Sequence, residues 1–311
     1  MKIIIFGGGG FIGSNITDRL LKDGHSLKIF ERPGILPYRK FFSHEDLQWL
    51  TGDFFCTHDL SKALDDVDLV IHLISTTLPK DSNNDPIYDV QTNLITSINI
   101  LELMVKKHIP KIIFISSGGS VYGAPKFLPI KENHPTEPMV SYGITKLAIE
   151  KYLLMYQSLF GIKVNILRVT NPYGERQRIE SSQGAVGVFL NNAIQCKPIQ
   201  IWGDGSVTRD YLYVSDVAEA FSAAVDYKGI HSIFNISSGV GTSLKSLVEK
   251  IELILSKKVS CNYQKARSFD VPSNILDNSL AKIELNWSPK VKLEEGLAKS
   301  AAWIQKNIPT K

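Results

Sequence analysis

The sequence predicts an α/β protein built on a doubly wound parallel sheet, followed by a smaller mixed α/β C-terminal domain. Three observations carry this expectation. Short apolar runs rich in β-branched residues alternate with amphipathic stretches through the first half of the chain, the pattern of strand–helix–strand units. The runs are apolar almost throughout, as strands covered on both faces are. After Asn171 the rhythm breaks, and glycines and prolines cut the chain into shorter pieces.

Taken in order, the expected strands are Lys2–Phe6, Ser26–Phe30, Val67–Ile74, Lys111–Ser116 and Lys163–Val169, with a further strand ending shortly before Asp53. The expected helices between them are Phe11–Lys22, Asp85–Lys107 and Tyr142–Phe160. Beyond Asn171, the residues Pro172, Gly174, Gly184, Gly187, Pro198, Gly203 and Gly205 interrupt regular structure. Arg209–Val225 reads as a strand leading into a helix with Asp216 as its N-cap, and Ser232–Ser237 as another strand. Leu244–Leu255 and Leu293–Ile304 read as helices. Residues 1–170 are expected to form one domain, to which segments near 206–240 return, and residues 171–311 a second.

Composition narrows the function classes. With 43% hydrophobic and 21% charged residues among 311, the chain reads as a soluble globular protein. Its net charge of +4 is spread among interspersed acids and bases, so no basic run argues for nucleic acid. No stretch approaches the roughly 20 apolar residues of a membrane span, and the N-terminus has no signal-peptide pattern. Cys56, Cys196 and Cys261 are few and widely spaced, which predicts reduced thiols, a cytoplasmic location, and neither a disulfide framework nor a metal site.

Gly7-Gly8-Gly9-Gly10-Phe11-Ile12-Gly13 follows the first strand and opens the first helix. Gly7, Gly10 and Gly13 supply the spacing of a tight turn that brings backbone N–H groups against a pyrophosphate. Glu31 ends the second strand, about 20 residues on, where a carboxylate binds ribose hydroxyls. Strand, helix and acid together predict a Rossmann-type dinucleotide site. Glu31 favours NAD, while Arg32 beside it leaves NADP open. Asp53 is placed either to meet the adenine amino group or to cap a turn. Phe11, Ile12, Phe54, Leu73 and Ser116 complete the expected cofactor surface.

Tyr142-Gly143-Ile144-Thr145-Lys146 puts a phenol and an ammonium at i and i+4 on one helix face. A phenol titrates near 10 and is a poor base, but neighbouring positive charge favours the phenolate. With these residues the chain resembles the extended short-chain dehydrogenase/reductase family, in particular its UDP-glucose 4-epimerase-like nucleotide-sugar enzymes. Three later segments share the resemblance: Arg168-Val169-Thr170-Asn171-Pro172-Tyr173-Gly174, Arg209-Asp210-Tyr211-Leu212-Tyr213-Val214-Ser215-Asp216, and Arg267-Ser268-Phe269-Asp270. The resemblance implies that Asn171, Arg209 and Arg267 hold a nucleotide-sugar diphosphate, that Asp270 binds the nucleoside ribose, and that Lys146 reaches the nicotinamide ribose. It also implies that Asn274 limits the room at the sugar C2 substituent, where an N-acetylhexosamine would fit.

The sequence departs from the family in Ser116-Ser117-Gly118-Gly119-Ser120-Val121-Tyr122-Gly123. Aligned on Val121-Tyr122-Gly123, the usual catalytic hydroxyl falls on Gly118. Ser120 or Ser117 is expected to replace it, with Ser120 preferred. The Asp-Glu pair of the family's sugar dehydratases is replaced by Gly119-Ser120, which argues against dehydration. Gly118, Gly119 and Thr76 are expected to line the sugar pocket, and Thr77 and Lys80 are further candidates. His72, within an apolar strand, reads as a core histidine. The expected activity is NDP-hexose 4-epimerisation through transient oxidation at C4 with NAD. The alternatives are a 4-keto-sugar reductase and a non-catalytic dinucleotide-binding protein. The resemblance further implies a homodimer through the helices Asp85–Lys107 and Tyr142–Phe160.

Overall fold

The computed structural model of the chain describes residues 1–77, 82–179, 184–266 and 271–308. Lys80, Arg267 and Asp270 therefore lie outside the described residues.

The first half runs β1 (Lys2–Phe6), α1 (Phe11–Lys22), β2 (Ser26–Glu31), β3 (Leu47–Thr51), α2 (Thr57–Ala63), β4 (Leu69–His72) and α3 (Pro86–Asp89). It continues with α4 (Thr96–Lys106), β5 (Lys111–Ser117), α5 (Ser141–Phe160) and β6 (Lys163–Val169). Between α3 and α4 the helix is π-type over Val90–Ile95, so the single helix expected at Asp85–Lys107 is wound in three pieces. The second half comprises β7 (Asn171–Tyr173), α6 (Ala185–Ile194), β8 (Ile199–Trp202), β9 (Thr208–Tyr213), α7 (Val214–Asp226) and β10 (Ile233–Ile236). After these come β11 (Gly241–Ser243), α8 (Leu244–Leu255), β12 (Cys261–Gln264), β13 (Ser273–Asn274), α9 (Ser279–Glu284) and α10 (Leu293–Asn307).

Seven strands form one parallel sheet in the order β10-β6-β5-β4-β1-β2-β3. The strands of its middle are buried on both faces, which is why their sequences are apolar without alternation. One face packs on α1 and α7 around Ile5, Ile16, Phe221 and Phe234. The other packs on α4 and α5 around Phe6, Ile100, Phe114 and Leu153. The order reverses between β1 and β4, and a doubly wound sheet opens its binding crevice at the carboxyl ends of the strands on either side of such a point. β10 is drawn from beyond residue 230 and closes the β6 edge.

The remaining elements pack around a third core containing Tyr173, Phe189, Tyr211 and Leu247. Its small sheet is organised about β9, which pairs with β7, β11 and β13. Asp216 does not cap α7. Tyr213 occupies the N-cap, and the Asp216 carboxylate, in the first turn, accepts the Lys290 and Val291 N–H groups instead. It thereby pins the segment before α10 to the large sheet's helix.

Candidate active site

At the end of β1, Gly7 has φ +86°, a conformation that strains any side chain. A Cβ at Gly13 would collide with the Gly7 carbonyl oxygen, so α1 sits directly on the turn. The helix begins at Gly10 with no side-chain cap, the form of N-terminus that accepts a phosphate. Phe11 and Ile12 are half-buried beside it. Glu31 at the end of β2 is 7% exposed, and its carboxylate accepts the Gly9 N–H at 2.7 Å. Burial raises the Glu31 carboxyl, and the Gly9 N–H, Arg178 and Arg32 pull it back down. A Cβ at Gly9 would meet the Trp49 ring and the Glu31 carboxylate. The cradle thus fits a dinucleotide, with a narrow backbone passage for the pyrophosphate and an acid placed for ribose.

Other residues expected at the cofactor fall into place differently. Arg32 is exposed. The Asp53 carboxylate accepts the Phe55 N–H at 2.9 Å and so makes the turn cap that was one of its two readings. The Phe54 ring packs edge-on against Phe30 and Phe6 in the core. The Leu73 backbone lies against Gly7, 3.5 Å from where a Cβ would stand. Ser116 is 4% exposed and turns its hydroxyl onto Glu150.

Tyr142 and Lys146 lie in the first two turns of α5. The Lys146 ammonium is buried, donates to the Ile115 carbonyl at 3.1 Å, and stands 4.7 Å from the Phe114 ring centre and 5.8 Å from that of Tyr142. Burial lowers it to about 8, while the carboxylates of Asp89 and Glu150 hold it up. Burial raises the Tyr142 phenol to about 12, against the downward pull of hydrogen bonds with Ser117 and Ser75. At neutral pH the pair is therefore phenol and ammonium, and phenolate forms only when further positive charge arrives. His72 is 1% exposed, hydrogen-bonds Ser97 at 2.7 Å, and is pushed down to about 3 by burial, so it is a neutral core residue.

Of the two serines expected to serve Tyr142, Ser117 hydrogen-bonds it, together with Ser75, and not the preferred Ser120. Gly118 explains the choice. A Cβ there would run into Leu276 Cδ1 and stand 3.1 Å from the Arg168 carbonyl oxygen. Its side-chain direction leads onto Leu276, a member of the buried cluster with Val121, Tyr122 and Ile130. Ser120 presents its carbonyl to Gly143 of α5, where a Cβ would be only 2.8 Å away. Gly119 is exposed at the tip of the turn.

The β9 sheet gathers three of the candidate diphosphate and sugar residues, Asn171, Arg209 and Asn274. Its register sets Asn171 beside Tyr211 and Asn274 beside Arg209. Asn171 donates to the Asp210 carbonyl at 3.0 Å, and Arg209 to the carbonyls of Thr208 and Val271. Asn274 is 2% exposed and donates to the Gly118 carbonyl at 3.2 Å, joining this sheet to the end of β5. Thr76 is held by Asn93, its N–H donating to Asn93 Oδ1 at 3.0 Å. Thr77 is buried against Asp89. Sequence reasoning missed Ser75, Asp89, Glu150 and Tyr211. Glu150 carried a signal, lying one further turn along the Tyr142–Lys146 face. Tyr211, 6% exposed and with no hydroxyl partner among the described residues, carried none beyond its place in the Arg209–Asp216 segment.

A glycine cradle at the sheet's reversal point, with a Tyr–Lys pair across the crevice, defines a dinucleotide-dependent enzyme. The chain belongs to the NAD dependent epimerase/dehydratase family, whose model matches residues 3–237. It is 32% identical over 310 residues to the UDP-glucose 4-epimerase of Mycolicibacterium smegmatis, covering 98% of this chain and 99% of that one. It is 34% identical over 306 residues to the dTDP-4-dehydro-6-deoxyglucose reductase of Escherichia coli, covering 96% of this chain and 95% of that one. The structure resembles that of UDP-glucose 4-epimerase from Thermotoga maritima with UDP-glucose, with a TM-score of 0.92, 32% identity, and coverage of 99% and 100%. The cofactor of the family is NAD.

Proposed function

We propose that the chain is a UDP-hexose 4-epimerase. The observation that carries this reading is the meeting of Tyr142, Lys146 and Ser117 at the carboxyl ends of β4 and β5, across from the Gly7–Gly13 cradle. The cradle and Glu31 would hold NAD, which when bound would supply reversible hydride transfer at sugar C4. Tyr142 Oη receives the proton of the 4-hydroxyl and gives it back, with Ser117 orienting the reacting oxygen. Lys146 lowers the cost of the phenolate and, by resemblance, holds the nicotinamide ribose.

Arg209 and Arg267 anchor the diphosphate with Asn171, and Asp270 the ribose, so that the sugar can turn without leaving. Asn274, Thr76 and the Gly118–Gly119 turn border the sugar, and the modest size of Asn274 favours room for an N-acetyl group at C2. We assign residues 1–170, with 206–240 returning, to the cofactor domain and the rest to the substrate domain. Exposed Val90, Ile95, Met155 and Leu159 on the α4–α5 side support a homodimer, to be tested by light scattering. None of the helices among the described residues is long and apolar enough to cross a membrane, in keeping with a cytoplasmic enzyme.

Purified protein incubated with UDP-glucose, UDP-galactose or their N-acetylated counterparts and no added nucleotide tests the reading. Interconversion is expected. An absolute requirement for added NADH or NADPH identifies a reductase instead, the activity carried by the Escherichia coli relative.

A further inference from the structure

Asp89 is 0% exposed and sits where α3 passes into the π-helical turn. Its carboxylate is fully used. One oxygen accepts the Thr77 hydroxyl and, at 2.9 Å, the Asn93 amide; the other accepts the Ser141 hydroxyl at 2.8 Å and the Thr145 hydroxyl at 2.7 Å. Four donors around one carboxylate are what burial of an acid requires. Those donors come from the segment after β4, from the π turn, and from the first turns of α5. A π turn opens the helix by one residue and often marks a functional position. Here it aligns Asn93, which also holds Thr76, with Asp89.

Helix α5 begins at Val140, which offers no capping side chain. Its first N–H groups are instead capped from another segment: Ser141 N–H donates to Asn83 Oδ1 at 2.9 Å and Tyr142 N–H to Ser82 Oγ at 3.0 Å. The first turn of the helix that carries Tyr142 is thus bonded to Ser82, Asn83 and Asp89. Asp89, close to that positive helix end, is the centre of the fastening.

We propose that Asp89 is a positioning residue, whose carboxylate clamps the first turn of α5 to the chain segment after β4 and so sets Tyr142 and Lys146 over the substrate. This deepens the epimerase reading and rests on it for its kinetic consequences. The groups facing the Tyr142–Lys146 pair are Asp89 from α3, Glu150 from α5 itself, His72 from β4, which is neutral, and the hydroxyls of Ser117 and Ser75. Glu150 is held in an ion pair with Arg168. Asp89 is therefore the one of these charges that also bonds the helix start. Its negative charge holds both the phenol and the ammonium up. Removing the charge moves both limbs of the pH–rate profile to lower pH.

The test uses the full chain carrying Asp89→Asn, which keeps the shape and lets the Ser141 and Thr145 hydroxyls turn to the new amide. Asp89→Glu serves as the charge-preserving comparison. Hydrogen exchange of the 139–147 amides, independent of turnover, is expected to quicken about tenfold in Asp89→Asn, the scale of a lost cap. Both limbs of the kcat profile are expected to move to lower pH in Asp89→Asn and to return toward wild type in Asp89→Glu. Unchanged exchange at 139–147 overturns the clamp. A lower melting temperature with both limbs unmoved reduces Asp89 to a structural residue and overturns the proposal equally. Inactive wild-type protein would refute the epimerase reading, and the exchange measurement would still decide the clamp.

Discussion

Restoring the family's hydroxyl at position 118 is expected to harm this protein. In Gly118→Ser the new Cβ overlaps Leu276 Cδ1 and crowds the Arg168 carbonyl. Leu276 cannot easily yield: it is 0% exposed, its N–H donates to Asp210, and its carbonyl accepts the Ser237 hydroxyl. Overpacking of this kind costs about 1–3 kcal/mol, or roughly 2–4 °C of melting temperature per kcal/mol in large domains. The added hydroxyl points into the Leu276 cluster and so does not reach Tyr142. Ser117→Ala, by contrast, removes one of the two hydroxyls, with Ser75, that hydrogen-bond the Tyr142 phenol, and on the proposed mechanism it lowers kcat about 10²–10³-fold with little change in melting temperature. The decisive protein is the double variant Ser117→Ala with Gly118→Ser, followed by calorimetry and initial rates on a UDP-hexose. It should be as slow as Ser117→Ala and less stable than it. Recovery to within a small factor of wild type would refute the assignment of the hydroxyl to Ser117.

Other consequences follow from buried charges and from the cradle. Glu150→Ala leaves the Arg168 guanidinium, 3% exposed, without its carboxylate partner, and should cost about 3–5 kcal/mol in denaturant titration; a loss below about 1 kcal/mol would show that the pair is not buried as described. His72 is held near 3 by burial, below its unfolded value of about 6.5. Between these values the unfolded chain binds the extra proton, so the His72 contribution is intact above about 6.5 and is lost as pH falls toward 3. Replacing it with Gln should flatten that part of the stability–pH curve, and a His72 imidazole titrating near 6.5 by NMR would contradict the burial. If Glu31 anchors the ribose as proposed, Glu31→Ala should weaken NAD binding roughly 10–100-fold in calorimetric titration; unchanged affinity would remove Glu31 from the site.

The central sheet was legible because buried parallel strands have no polar face. Lys2–Phe6 and Lys163–Val169 match the expected limits, and Phe11–Lys22 and Leu244–Leu255 do so among the helices. Peripheral elements were harder. The short α2 and the strand β12 carry mixed side chains with weak periodicity, and β8 alternates over only four residues. The π turn at Val90–Ile95 depends on Asp89 and Asn93 finding distant partners, which no local pattern encodes.

The same distinction runs through the site. Tyr142 and Lys146 share a helix face, so spacing alone brings them together. Ser117 and Ser120 are separated by a glycine turn, and spacing does not decide which hydroxyl faces Tyr142; the Leu276 side chain, more than 150 residues on, decides what fits at Gly118. Asp216 looked like a cap because it is an acid near a helix start, yet its partners lie at Lys290 and Val291.

On the proposed mechanism hydride leaves and returns to one sugar carbon within one site. The most direct measurement is NMR of product formed from UDP-glucose deuterated at C4, with the protein as purified and no added nucleotide. The prediction is UDP-galactose retaining deuterium at C4. Protium at that carbon, or conversion only when reduced nucleotide is supplied, would contradict it.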